Sequence, residues 1–436
     1  MAGGWLGYAG DAQHTAQTSV AAQPLQTIRW QATIDQASKT AGGDILAHYG
    51  SPLVTNSNTV IVPITLSGGV FQVNALQGGS GAQLWAKVSD YSLPTHDWTP
   101  PFSSTLANIP GTNPLTRLYF AGADGTVEYI DNPDSPSKNL DGSPVTGRFA
   151  FYGLAQYNID VANKNANIAI NTPLTADAVG NIYFGYVVSG TNAANLSSGI
   201  ARIAPDGTGK FVAATTVSLV AKFNQVALNC APAISNDGAH LYIALTDSGS
   251  GELLELKTAD LTYVARAQLL DPAGTAFGGQ PSTITGDSSA TPTVGPDGDV
   301  YFGVLEHSFG SNHDRGWLLH FSGDLLQSKP SGFFGWDDTA SVVPAALVPS
   351  YLGTSSYLLM TKYNDYAGIG GTGINKIAIL DPDTRDPNYP ATTNMMREVL
   401  TIIGPTPDAD FISTHPNTTA LSRPPCAVGD FGKLDA

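Results

Sequence analysis

Short apolar runs bounded by Gly, Pro and Asp punctuate this chain. The clearest set lies in residues 291–321: a Pro-led apolar pair, Asp297-Gly298, the run VYFGVL at 300–305, an open loop, a Gly, and WLLHF at 317–321. Runs of this length read as strands. An Asp-Gly pair between them marks a hairpin, because Gly accepts the positive φ that primed turns require. The stretch predicts three consecutive antiparallel strands, joined by one tight turn and one long loop.

The layout recurs. TPLTADAVGNIYFGY at 172–186 and APAISNDGAHLYIAL at 231–245 match its first half, and Pro173, Pro232 and Pro292 stand 59 and 60 residues apart. Looser copies start at Ser51, near Ser103 and at Val343, and the second half recurs from Gly69, Gly125, Gly199, Gly251, Gly316 and Gly373. Copies of roughly 50 to 60 residues, each with about four short strands, are what propeller blades need. The expectation is an all-β fold, a β-propeller of four-stranded antiparallel blades spanning 1–436 as a single domain. A β-sandwich also gives evenly spaced strands, but it does not repeat its turn chemistry six times.

Ring closure sets the blade count. Residues 1–35 read as a leader and closing strand, with 28–34 completing the last blade from outside. The sixth copy has an outer strand of its own at 397–403, so a seventh blade is expected after Pro405. Residues 405–436 carry Pro416, Pro424 and Pro425 and little alternation, which argues against central strands. The expectation is therefore a seven-bladed ring with an incomplete last blade, six or eight blades being the alternatives, and a C-terminus truncated or altered relative to relatives.

Composition narrows the partners. With 47 Gly, 29 Pro and only 13% charged residues, the chain suits strands and turns. A net charge of −16 without any Lys/Arg cluster excludes nucleic acid and anionic membrane surfaces. No apolar run is long enough to span a bilayer. The start lacks the charged and apolar regions of a signal peptide, while the acidic balance and abundant Ser, Thr and Asn suit a periplasmic or secreted monomer. Cys230 and Cys426 make neither a disulfide framework nor a metal motif, and Cys230 reads as core filling. Asn195 and Asn417 head glycosylation sequons.

The leader GWLGYAGDAQHT and the following QTIRW resemble bacterial propellers of the pyrroloquinoline-quinone (PQQ) type repeat, through Trp5, Gly10, Asp11, His14 and Trp30. ALQGGSGAQLW at 75–85 is similar to that family's tryptophan-docking signature, with Ala75, Ser80, Gly81 and Trp85 matching and Gln77 replacing an acidic residue. The resemblance implies the propeller fold, and in some members a central PQQ and Ca²⁺ that support dehydrogenase activity. Here the signature occurs once, and the chain has neither a vicinal Cys pair nor Cys-x-x-Cys-His. The chain thus looks more like members without the quinone, and no cofactor is expected, with Ca²⁺ left open.

In a propeller the second-to-third-strand loops and the blade-to-blade loops share one face. Four distant stretches converge there: His96, Asp97 and Trp98; Glu306, His307, Asn312, His313, Asp314 and Arg315; Trp336, Asp337 and Asp338; and Lys362, Tyr363, Asn364, Asp365 and Tyr366. His96, His307, His313, Arg315, Asp337 and Tyr363 are the candidates for acid/base catalysis. Asp337 and Asp338 could ligate Ca²⁺, or simply cap the backbone. Trp98, Trp336, Lys362, Asn364 and Asp365 are candidate ligand-binding residues, since aromatic rings beside carboxylates suit sugar faces, although each Trp could instead pack between blades.

Three function classes follow, in descending order. A binding or scaffold propeller engages a glycan or a protein on its loop-rich face. A carbohydrate-active enzyme, lyase or hydrolase, uses the rim His, Tyr and Asp. A PQQ-dependent dehydrogenase needs docking motifs that are mostly missing.

Overall fold

The computed structural model describes residues 4–21, 27–33, 40–41, 44–45, 50–67, 69–93, 103–111, 115–163, 166–218, 220–272, 279–284, 290–307, 316–334, 339–363, 376–389 and 394–402. These build a β-propeller of six four-stranded antiparallel sheets, numbered here in chain order, in which the strands run inner to outer as they follow one another. The inner strands are Leu53–Val54, Thr105–Ile109, Thr175–Ala176, Ala233–Ile234, Thr293–Val294 and Ser341–Pro344. In sheets 3 and 4 a further piece, Ile168–Ile170 and Gln225–Val226, pairs with the same second strand.

The three strands expected in 291–321 are Thr293–Val294, Val300–Leu305 and Gly316–Phe321. All six residues of Val300–Leu305 are buried. A strand enclosed between neighbouring sheets loses apolar/polar alternation, and this one accordingly reads as a near-continuous apolar run. The turn before it differs from the primed two-residue turn. Gly298 N donates to Gly295 O at 2.9 Å, Gly295 N donates to Asp299 O at 2.7 Å, and Gly298 alone takes positive φ, at 93°. The connection is one residue longer than a primed two-residue turn, and its last residue, Gly298, takes the left-handed region that glycine tolerates. Gly180 and Gly238 occupy the same place in sheets 3 and 4, and Asn58 does so in sheet 1 with φ 63°.

Adjacent sheets are stitched by a recurring hydrogen bond from one sheet to the turn after the third strand of the next. Trp85 Nε1 donates to Pro133 O at 2.7 Å, Arg117 Nη1 to Pro205 O at 2.9 Å, Tyr183 OH to Thr258 O at 3.3 Å and Tyr242 OH to Gly323 O at 2.7 Å. Between sheets 5 and 6, Tyr301 OH and Tyr357 OH lie 2.6 Å apart, and Tyr357 OH donates to Asp297 Oδ1 at 2.8 Å. Trp85 of the docking signature thus reaches the next sheet through its indole N–H. Where that signature has an acid, Gln77 Oε1 accepts from Ser80 Oγ at 2.6 Å.

One apolar core runs through sheets 3 to 6 and another through sheets 1 to 3. Sheets 1 and 6 each carry a further small cluster, Val62, Ile64 and Leu76 with Trp30 on the first, and Val348, Leu358 and Ile379 on the second. Residues 28–33, the described part of the expected closing strand, form no strand, and Ile28 is 74% exposed. Trp30 instead lies on sheet 1, donating Nε1 to Gly78 O at 2.9 Å. A Cβ on Gly81 would come within 2.7 Å of its ring. The segment expected to form an incomplete seventh blade, 405–436, lies outside the described residues.

Candidate functional site

Residues 5–17 lie at the centre of the ring and bond through their main chain to the inner strands of sheets 1, 2, 4, 5 and 6. Trp5 exchanges both main-chain bonds with Val54, at 2.8 and 2.9 Å. Leu6 O accepts from Leu106 N at 2.7 Å, and Ala12 O, Gln13 O and Thr15 O accept from Ile234 N, Val294 N and Val342 N, each at 2.8 Å. Side chains add to this ladder: Gln13 Nε2 donates to Ile234 O at 3.0 Å and Gln17 Nε2 to Val342 O at 3.1 Å.

The segment keeps its shape through Asp11. Its Oδ1 accepts from Gln13 N at 3.1 Å and Thr15 N at 2.9 Å, and its Oδ2 from Thr15 Oγ1. His14, with φ 59° and no solvent exposure, sits at the centre. Burial lowers its pKa from 6.5 to about 4, against the opposing pull of the Pro292 carbonyl and Asp11. The ring is therefore neutral at pH 7, and with Nδ1 2.8 Å from Pro292 O, the proton belongs on Nδ1.

Beside this segment a cleft of about 610 Å³ opens at the end of the disc that carries the inner-to-second-strand turns. Leu6, Tyr8, Asn108, Ala176, Asp177 and Asp237 are among its walls. Its carboxylates are committed to their own turns. Asp177 Oδ1 accepts from Val179 N at 3.0 Å and Asn181 N at 2.9 Å, and Asp237 Oδ1 from Ser235 Oγ at 2.5 Å and Ala239 N at 3.0 Å. Those bonds hold the exposed Asp237 carboxyl below its ordinary range. The cleft can present fixed main-chain and carboxylate groups to a ligand.

At the opposite face lie Glu306, His307, Lys362 and Tyr363, the described residues of the loops singled out from the sequence. His307, half-buried, donates its N–H to Asp271 Oδ2 at 2.6 Å, and its Nδ1 stands 3.1 Å from Pro281 O. His307 of sheet 5 thereby meets the connection leaving sheet 4. Lys362 and Tyr363 end the second strand of sheet 6 at the same end of the disc. His96, Trp98, His313, Arg315, Trp336, Asp337, Asp338, Asn364 and Asp365 lie outside the described residues.

Two arrangements had no counterpart in the sequence reading. One is the axial segment itself. The other is an ion network at sheets 1 and 2, where Arg148 Nη2 reaches Asp90 Oδ2 at 2.8 Å and Glu128 Oε1 at 3.2 Å, with Lys87 Nζ 4.0 Å from Glu128 Oε2. Burial raises the Glu128 pKa, and Arg148 opposes the rise. Among the described residues no three His, Cys, Asp or Glu side chains are grouped to hold a metal. The disc centre, where the resemblance places quinone and Ca²⁺, is crossed at the level of Val54, Ile234 and Val294 by residues 5–17.

No protein-family model matches the chain, and no curated protein does. Solved structures do resemble it. The quinohemoprotein alcohol dehydrogenase from Comamonas testosteroni is 9% identical with a TM-score of 0.45, over 91% of this chain and 72% of that one. A europium-containing methanol dehydrogenase is 10% identical with a TM-score of 0.44, over 92% and 86%. BamB from Moraxella catarrhalis is 13% identical with a TM-score of 0.29, over 66% and 88%.

Proposed function

We propose that this chain is a binding or scaffold propeller, acting as a periplasmic or secreted monomer and engaging a glycan or a protein at the open ends of its disc. The observation that carries the reading is the cleft along the axial segment, whose walls offer hydrogen-bonding groups already fixed by their own turns. Preorganised groups of this kind favour recognition, because little ordering remains to be done on binding. Charged side chains elsewhere are similarly engaged internally: Arg117 with Asp131 at 2.6 Å, Arg266 with Glu252 at 2.8 Å, and Lys329 with Asp299. The acidic balance, −16 overall, supports a place outside the cytoplasm and disfavours anionic ligands.

The test is a glycan array and a pull-down from the native host with the full chain, run beside elemental analysis and turnover assays on polysaccharides. Saturable binding without turnover is the expected result. Polysaccharide cleavage that disappears by about 100-fold or more in His313→Ala or Tyr363→Phe would replace the binding reading with the carbohydrate-active one.

A further inference from the structure

At the inner edge of sheets 1, 3, 4 and 5, the residue before the turn belongs to a non-hydrogen-bonded pair, so its N–H and C=O point away from its own sheet toward the axis. In sheets 4 and 5 that residue is Ile234 or Val294, and in sheet 1 it is Val54. Each meets the axial segment. Sheet 3 has the same register: Thr175 faces Tyr183 and Ala176 faces Ile182, as Thr293 faces Tyr301 and Val294 faces Val300. Asp177 N closes the turn on Asn181 O at 2.9 Å, as Gly295 N does on Asp299 O. Ala176 is therefore the sheet 3 rung, yet the axial segment turns at Gly7–Gly10 and passes it by. Among the described residues neither its N–H nor its C=O has a partner, and Ala176 is partly buried in the wall of the cleft.

We propose that the cleft beside Ala176 binds an extended, neutral-to-basic peptide segment, one peptide unit of which pairs edge-on with the Ala176 N–H and C=O and completes the axial ladder at sheet 3. The chain contains the template, since Trp5 makes this two-bond contact with Val54. Edge-on pairing of an extended segment is a general mode of peptide capture. The volume falls within the range of ligand sites, roughly 300–1,000 Å³. Charge selects the sign: Asp11, Asp177 and Asp237 line the cleft, and no Lys or Arg is among its described walls. The proposal rests on the binding reading above and gives one mouth of the disc a ligand class.

The probe is acetyl-Lys-Ala-Gln-Lys-amide, whose Ala-Gln copies the Ala12–Gln13 pair that serves Ile234. Hydrogen exchange of single amides in the full chain is followed by NMR. Without probe, Ala176 should exchange faster than the bonded Ile234 and Val294 amides, and with millimolar probe it should slow about tenfold or more. A copy N-methylated at its internal amides should bind about tenfold more weakly, the worth of a lost main-chain bond. Added salt should weaken the parent peptide by about two- to threefold.

Peptide binding that leaves Ala176 exchange unchanged, equal affinity for the N-methylated copy, or protection of Ala176 by maltotetraose and not by the peptide would each overturn the proposal. Glycan or protein capture on the opposite face with Ala176 unmoved would sink the peptide site and leave the binding reading standing. Turnover with no captured ligand would sink both.

Discussion

His14 bridges the disc from sheet 5 to sheet 3: its Nδ1 lies 2.8 Å from Pro292 O, and its Nε2 lies 3.5 Å from Thr175 Oγ1. A neutral ring with the proton on Nδ1 donates to the first and can accept from the second. Tyr8 packs edge-on against the same ring at 5.4 Å, so protonation would put a charge in a site shut off from water, and that loss outweighs the pull of the Pro292 carbonyl and Asp11.

The pH dependence of stability follows from that burial. The folded-state pKa of His14, about 4, lies below the unfolded value near 6.5, so the unfolded chain binds more protons between them. The contribution is fully present above about pH 6.5 and is lost as pH falls toward 4, amounting to about 3 kcal/mol. Urea unfolding at several pH values should show this loss, and His14→Gln should flatten that part of the profile. An identical pH slope in the variant would refute the assignment.

Asp11 holds the axial segment in shape through bonds to Gln13 N, Thr15 N and Thr15 Oγ1. Asp11→Ala should cost about 1–2 kcal/mol, by analogy with loss of a cap, and should make residues 4–21 the first site of limited proteolysis. Unchanged protease resistance would show that the ladder alone shapes the segment.

The Tyr242 hydroxyl ties sheet 4 to Gly323 of sheet 5. Tyr242→Phe should lower unfolding free energy by about 1 kcal/mol, whereas Tyr263→Phe, at an exposed position, should change it by less than about 0.5 kcal/mol. Equal effects of the two substitutions would mean that the inter-sheet bond contributes nothing measurable.

Gly185 stands where sheet 3 presses on sheet 4, and an added Cβ would come within 2.8 Å of the Thr172 and Val226 side chains. Gly185→Ala should destabilise by about 1–3 kcal/mol through overpacking. A melting temperature at or above that of the parent would show that the two sheets can separate to admit a methyl group.

Cys230 is fully buried, and burial raises its thiol pKa to about 12. In a Cys426→Ser background the native protein should leave Ellman's reagent unreacted at pH 8, and one thiol should appear on unfolding. Rapid reaction in the native state would place Cys230 at a reactive site.

The Tyr183, Tyr242 and Tyr301 stitches show how far the sequence could be read. All three occupy the same position in the matched repeats 172–186, 231–245 and 291–305, so the recurrence was visible. Their acceptors were not, because Thr258 and Gly323 belong to the next repeat and become neighbours only once sheets stack. The meeting of His307 with Asp271 on the connection leaving sheet 4 was legible for a simple reason: antiparallel strands return alternate connections to the same end. The cleft was not, since Ala176, Asp177 and Asp237 look like ordinary turn residues.

By itself the sequence determined what depends on neighbours along the chain: the strands at 182–188, 240–246 and 300–305, and the αL turn positions Gly180, Gly238 and Gly298, each set by local apolar patterning or by backbone sterics. Tertiary structure alone decided the rest. Residues 5–17 carry no alternation, and they acquire a conformation from main-chain partners such as Ile234, Val294 and Val342, hundreds of positions away. Trp30 was written in a strand-like run, but a run becomes a strand only beside an open edge, and in the folded chain its indole found Gly78 and Gly81 instead.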